Sequence, residues 1–597
     1  MSEPLPASFP GVRLFLRAML AAFIVLALCS FSNAYANPNE FKWVFLGACN
    51  WVILLELLIW PVAWRRVPDR LDAWLLAFIA YAGVSLAWSA DSAGGVLVWV
   101  KWLLLAGPFL YFRHRASDSL LRLSLWSVGV ANAVVMLFAI SGWANWAGFA
   151  NENFLTEFQL ISLPFLAALI LAEYNPWLKL PVALIVCLEL LDLAVFNPSR
   201  IEWLVLLGML ILAIEGFIWR RLRMRSLLVL NGTGIVAVAA ALVWAGLHAD
   251  SAHALFVESV RPRVALIVNT LRLWWDAPLF GHGAGSFDAL YPLYKEWHLR
   301  YFEHADILLS NKMVKAGAAH NELLQLLAEY GLVGLGILGG FGWFMLRQGM
   351  RRRDRHAALG GTALCVGLLI GLIEFPLQNP ATALLLVLAA AMLSRREECQ
   401  ASAAGRDLVS GPLWIAGRLG ALAAGVLLLV GMLRFDQSNR LFGQVADLMG
   451  SDPRAAFAAN QEACRLNPWD RRMRMQLYTT LTFWTANSAV AVSSDAENDR
   501  VYEFSSRGAG HQPVLLLGRL QHLLNSGRYE TQREETEALL ETLKRESSRM
   551  ADVWILDAYY ALLLESPERA AAAIRRAQGL DPSPEQRENL QRLRQAL

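Results

Sequence analysis

The 597-residue sequence is poor in charge: Asp, Glu, Lys and Arg make up 17% of it, against about 25% in an average soluble domain. The charges stand in clusters between long apolar runs, which excludes a single soluble globular domain. Basic excess is also missing. A net charge of +3 excludes the basic face expected of a nucleic-acid-binding protein. Cysteine is scarce: Cys29, Cys49, Cys187 and Cys365 lie in apolar runs, Cys399 and Cys464 stand alone, and no CxxC occurs. That excludes a zinc ribbon and a disulfide framework. No HExxH is present, and His282, His298 and His304 lack metal-ligand spacing. Neither a metal nor a cofactor is expected.

What the sequence has is apolar surface. Hydrophobic residues make up 56%, and the mean hydropathy is +0.40. Runs of roughly 17 to 25 apolar residues read as membrane-spanning helices. Thirteen candidates occur, at about 13–33, 42–63, 71–89, 95–112, 121–146, 155–173, 180–196, 201–219, 226–248, 321–346, 358–374, 378–394 and 413–433. The fold class expected is an all-α polytopic membrane protein of about 12–13 transmembrane helices. The opening, with Arg13, an apolar run and Ala34-Tyr35-Ala36, imitates a signal peptide and its cleavage site. Its removal would leave the sidedness of later spans unchanged.

Alternate loops carry the basic residues: Arg65, Arg66 and Arg70, then Arg113 and Arg115, then Lys179, then Arg220 to Arg225, then Arg347 to Arg355, then Arg395 and Arg396. Positive charge stays in the cytoplasm, so the loop after the ninth span and the chain after the last span face outward. The domains expected are spans one to nine over 1–248, an extracytoplasmic loop over 249–320, spans ten to thirteen over 321–433, and an extracytoplasmic helical region over 434–597.

This sidedness gathers the unusual polar residues on one face: Asn151, Asn153, Ser199-Arg200, Arg263, His320-Asn321 and Glu374. Each also has a plain structural reading. Arginines snorkel to the interface, asparagines cap helices, and Asn321, Gln325 and Glu329 at helical spacing form a polar stripe. Taken together they suggest chemistry. Two guanidinium groups suit a phosphate or pyrophosphate, and a histidine can take a proton from a hydroxyl near neutral pH. That combination suits a transferase acting on a pyrophosphate-activated lipid, the departing pyrophosphate being stabilised electrostatically.

The same residues resemble the O-antigen ligase and polymerase superfamily, including bacterial protein O-oligosaccharyltransferases. The resemblance rests on Arg263 followed by Pro278-Leu279-Phe280-Gly281-His282-Gly283, and on His320-Asn321 followed by Glu329-Tyr330-Gly331-Leu332-Val333-Gly334. Ser199-Arg200 is similar to the family's Ser-Arg at a helix start, while Ile267 stands where the family often has tryptophan. Asn151-Glu152-Asn153, Glu374-Phe375-Pro376 and the large C-terminal region look more like the protein, or pilin-type, branch. The resemblance implies a metal-independent glycosyltransferase of the bacterial inner membrane with its active site in the periplasm. It would move a glycan en bloc from undecaprenyl pyrophosphate to Ser/Thr hydroxyls of periplasmic or pilin proteins. His320 would be catalytic, Arg200 and Arg263 would bind the donor pyrophosphate, and Asn321, Gln325, Glu329, Glu374, Asn151 and Asn153 would support them. An O-antigen ligase acting on lipid A core, a polymerase, or a lipid-linked glycan transporter are the competing functions.

Three further features stand apart. Tyr291, Tyr294 and Trp297 recur as on one face of an interfacial amphipathic helix, or form a sugar-stacking wall. Gly281, Gly283 and Gly285 lie outside any βαβ unit, so they predict a tight turn that brings backbone close to something bulky. Ala463 to Pro468 and Ala577 to Pro582 look like ends of tetratricopeptide repeats, at a separation that is no multiple of about 34 residues. They predict degenerate stacked helix pairs, either docking the acceptor or bracing the loop. Asp552 reads there as a helix N-cap.

Overall fold

The computed structural model of the protein describes residues 10–59, 69–115, 117–142, 145–149, 151–173, 175–193, 254–295, 317–352, 354–396, 412–486, 494–580 and 582–597. The apolar runs are helical. In chain order they are α1 (Pro10–Cys29), α2 (Lys42–Ile59), α3 (Arg70–Val84), α4 (Ser92–Arg115), α5 (Asp118–Ser141), α6 (Glu152–Ala172) and α7 (Pro176–Leu191). Then come α8 (Ala254–Asp276), α9 (Ser286–Tyr294), α10 (Glu322–Arg351), α11 (Arg355–Gly371), α12 (Pro380–Ser394) and α13 (Pro412–Ser451). The charged C-terminal region adds α14 (Pro453–Leu466), α15 (Arg471–Ala486), α16 (Asp495–Ser506), α17 (Pro513–Asn525), α18 (Arg533–Glu546), α19 (Ala551–Leu563), α20 (Pro567–Gln578) and α21 (Pro584–Ala596).

Eight of the described helices are long and apolar enough to cross a membrane, so this is a multi-pass membrane protein. Three expected spans are shorter: α7, α11 and α12 have 16, 17 and 15 residues. The two expected at 201–219 and 226–248 lie outside the described residues. The chain divides into two compact units: Met1–Tyr81, Trp99–Phe217 and Gly336–Gln444 form one, and Ala82–Val98, Ile218–Leu335 and Val445–Leu597 the other.

In the first unit, α1 packs on α2 and α5, α6 on α5 and α11, and α12 on α11. Their starts are set by short polar side chains that accept a backbone N–H: Ser117 for α5, Asn151 for α6, Asn175 for α7 and Asn379 for α12. Nearly every residue of α12 is buried, as befits a helix apolar on all sides in the middle of a bundle. By contrast α13 exposes Leu419, Leu422, Val426, Leu427, Val430 and Leu433, a row that suits lipid.

Two buried cations in this unit have close partners. Lys42 is fully buried, donates to the Gly148 carbonyl at 3.2 Å and lies 4.1 Å over the Phe149 ring. Arg113 is likewise fully buried, and its guanidinium bridges Asp69 and Asp72 and donates to Gln348 at 3.2 Å.

In the second unit the C-terminal helices pack as successive neighbours, α14 with α15, α15 with α16, α17 with α18, and α19 with α20 and α21. Leu516, Leu520, Leu524, Leu540, Leu543, Val553 and Tyr560 form one core, and Ala558, Ala573, Ile574, Ala577 and Leu590 the next. Arg519 ties three helices: it meets Asp499 at 2.5 Å and Glu535 at 2.8 Å, and lies 5.0 Å over Tyr502. The expected repeat ends fall where α14 and α20 stop. Asp552 is not the N-cap of α19. Met550 takes that place, and Asp552 accepts from Gln586 at 2.8 Å.

Replacing Arg113 by methionine removes the guanidinium shared by Asp69 and Asp72, and leaves the almost fully buried Asp72 with His114 at 3.0 Å. The expected cost is about 3–5 kcal/mol. Thermal unfolding in detergent checks it, and an unchanged midpoint contradicts the assignment.

Candidate functional site

The site in the second unit is built around an interrupted helix. Within α10, Gly331 has φ 63° and ψ −168°, a region open essentially to glycine alone. A regular helix would bond Leu332 N–H to the Ala328 carbonyl and Val333 N–H to the Glu329 carbonyl. Here both bonds are exchanged with the turn that follows α8. Leu332 and Val333 donate to the carbonyls of Pro278 and Leu279 at 2.9 and 3.0 Å. The Ala328 and Glu329 carbonyls accept instead from His282 and Gly283, at 3.0 and 2.8 Å. Four backbone groups, each costly if left unpaired away from water, are thus satisfied by one turn.

Glycine is required on both sides. At Gly281 (φ 68°) a β-carbon would lie 2.4 Å from the Glu329 carbonyl, and at Gly331 one would lie 2.3 Å from the Leu279 oxygen. The bulky neighbour that the glycine run predicts is therefore the backbone of α10.

The rest of the turn is fastened to its surroundings. The ring nitrogen Nε2 of His282 donates to the Leu273 carbonyl at 2.8 Å. Asn269, fully buried on α8, donates to Tyr291 Oη and to the Lys295 carbonyl, which pins α9 to α8. Tyr291 is buried and stacked on Phe287 at 5.2 Å, so this part of the expected interfacial or sugar-stacking face is core. Burial pushes the Tyr291 hydroxyl pKa well above its usual value. Tyr294 donates to Asp276 at 2.6 Å, and Trp297 lies outside the described residues.

His320 stands just before α10 with φ 47°, a left-handed conformation that costs a residue with a β-carbon about 1–2 kcal/mol. Its two neighbours are held from α10. Ala319 N–H donates to Gln325 Oε1 at 3.1 Å, and the Asn321 side chain caps the helix by accepting from Leu324 N–H at 2.9 Å. Gln325 Nε2 then donates to Glu329 Oε1 at 3.3 Å, while Gly285 N–H donates to Glu329 Oε2 at 3.2 Å. Gln325 and Glu329 thus link the turn to the residue before the histidine, and Asn321 caps the helix beside them, so the three are more than a polar stripe.

Arg263 is on α8, partly buried. Ala265, two residues on, shares one buried cluster with Leu266, Leu273, Phe287, Tyr291, Ala328 and Ala319, the residue before His320. The helix that carries Arg263 and the segment that carries His320 therefore meet in one small core. Arg200 lies outside the described residues.

In the first unit, Asn151 caps α6 by accepting from Phe154 N–H at 2.9 Å, and Asn153 donates to Glu374 at 3.2 Å. Glu374 is buried just past α11, beside the edge-to-face pair Phe154 and Phe375. Among the described residues no group of three or more His, Cys, Asp or Glu is arranged to hold a metal ion.

Sequence reasoning passed over several buried charges in the second unit. Lys295 is 1% exposed and donates to Ser547 at 2.7 Å. Asp91 pairs with Arg474 at 2.9 Å, and Arg471 with Asp288. Nothing in the local sequence marks such distant partners.

Fold and site define a multi-pass membrane protein that presents an imidazole at the mouth of a span, on a seat made by a glycine turn. Residues 185–339 match the model of a family described as O-antigen ligase. That segment holds Arg200, Arg263, the glycine turn, His320, Asn321, Gln325 and Glu329. No curated protein matches the chain.

Gly331→Ala is expected to lower the unfolding midpoint and loosen the turn, because the β-carbon and the backbone angles are both refused. Gly336→Ala, where a β-carbon meets nothing within 4 Å, is the control. It should be neutral or stabilising by roughly 0.5–1 kcal/mol. Equal midpoints and equal protease sensitivity at 277–285 in the two variants would contradict the interlock.

Proposed function

We propose that the protein is an O-linked oligosaccharyltransferase of the bacterial inner membrane. It moves a glycan en bloc from undecaprenyl pyrophosphate to a serine or threonine hydroxyl of a periplasmic or pilin protein. The observation that carries this reading is the buried cluster that joins Ala265, two residues after Arg263, to Ala319, the residue before His320, inside the segment that matches the O-antigen ligase family. The loop charges support a periplasmic site.

In this scheme His320 takes the proton of the acceptor hydroxyl, and the oxygen bonds to the anomeric carbon as the bond from that carbon to the pyrophosphate oxygen breaks. Arg263 and Arg200 hold the pyrophosphate and meet its charge as it leaves, so no metal ion takes part. Guanidinium groups held in place stabilise such a charge without reorganisation at the moment of reaction. Asn321, Gln325 and Glu329 keep the histidine's backbone in its left-handed turn. Asn151, Asn153 and Glu374 form a supporting polar group, and with the large helical C-terminal region they favour a protein acceptor. Transfer to lipid A core is the second reading, favoured by the description of the matching family.

Purified His320→Ala, given a lipid-pyrophosphate glycan, EDTA and a serine-containing acceptor, should lose roughly 10²–10⁴-fold in rate. The parental enzyme should be insensitive to the chelator. A parental rate in the variant removes the base assignment. Glycan found only on lipid A core, with peptide unmodified, removes the protein acceptor.

A further inference from the structure

We propose that Asp91, Arg471 and Arg474 are positioning residues. Through them the helical C-terminal region clamps the glycine turn and fixes the backbone that carries His320. The proposal rests on the reading of His320 given above. Arg471 and Arg474 are three residues apart on α15, hence on one side of it, and both are buried. Arg474 meets Asp91 at 2.9 Å and donates to the carbonyls of Pro468 and Arg507 at 2.7 and 3.2 Å. Arg471 pairs with Asp288 on α9 and lies 3.8 Å from Asp91. Gln512, just before α17, donates to the Asp288 carbonyl at 2.8 Å.

The acidic partners adjoin the turn. Asp91 N–H donates to Ser89 Oγ at 3.2 Å, and Ser89 Oγ donates to the Ala284 carbonyl at 2.8 Å. Ala284 N–H donates to Ser85 Oγ, and Ala90 N–H to Ser286 Oγ, at 3.1 and 3.2 Å. Gly285, between them, donates to Glu329, which holds Gln325, which holds Ala319. An unbroken series of bonds therefore runs from two arginines of the C-terminal region to the residue before His320.

Buried ion pairs add little stability over apolar packing but can specify one arrangement. A region that served only to recruit the acceptor would have no need to sink two guanidinium groups against this segment. The clamp is thus better suited to geometry than to anchoring.

The test uses the full chain in membranes. Arg474→Met and Asp288→Asn should each lower kcat by about 10- to 100-fold, the scale of an error near 1 Å in placement. KM for donor and acceptor should stay at parental values, and the loss should be equal with a short serine peptide and a folded acceptor. Arg474→Lys should recover most of it. Asp288 is over one-third exposed, so its variant decides if Arg474→Met fails to fold. Parental kcat in Asp288→Asn, a KM increase confined to the folded acceptor, or a kcat loss that only follows a lowered unfolding midpoint would each overturn the clamp. His320→Ala is run alongside. If it is active, the site reading itself has failed. If it is inactive while Asp288→Asn is parental, only the clamp has failed.

Discussion

The structure of the site depends on one exchange of backbone hydrogen bonds. Helix α10 gives up two of its own bonds at Gly331, and the turn after α8 replaces them on both strands of the break. Inside a membrane protein a helix cannot be opened unless other groups satisfy the freed amides and carbonyls. The turn is therefore held by α10 as firmly as α10 is completed by the turn. Groups that touch either half inherit this lock: α9 through Asn269, the Gly285 amide through Glu329, and Ala319, the residue before the histidine, through Gln325.

Rigidity of this kind is what a base and a phosphate-binding group require. A strained histidine persists only where its surroundings over-determine it, and here a cap on one side and a side-chain bond on the other do so. The C-terminal helices extend the same logic, since their buried arginines meet carboxylates that flank the turn. In the first unit the polar groups are paired just as closely, Asn153 with Glu374 and Arg113 with its two aspartates. Charge in this chain is scarce, and several of the buried charges among the described residues pair across helices.

Much of this was legible in the sequence, for identifiable reasons. Long apolar runs declare spans because lipid tolerates little else. Yet α7, α11 and α12 are shorter than their runs suggested, for α12 starts only where Asn379-Pro380 permits. The glycine run announced a close backbone approach, although only the folded chain reveals that the neighbour is α10. His320-Asn321 read correctly as a helix mouth because Asn321 is a local cap. Tyr291 is core where the sequence suggests an exposed face, since a three-residue step cannot tell an interfacial face from one buried against α8. The pair Asp91 and Arg474 is separated by 383 residues, and no local pattern encodes a contact of that range. Arg200 lies outside the described residues, so its part in the site stands on sequence reading alone.

The most direct measurement is an experimental structure of the full chain with a non-transferable lipid-pyrophosphate analogue bound. The account predicts the pyrophosphate against Arg263, with the His320 ring within hydrogen-bond reach of a hydroxyl placed at the anomeric carbon, and the α10 break unchanged. An analogue seated in a pocket remote from Arg263 and His320, or a continuous α10 in the bound state, would contradict it.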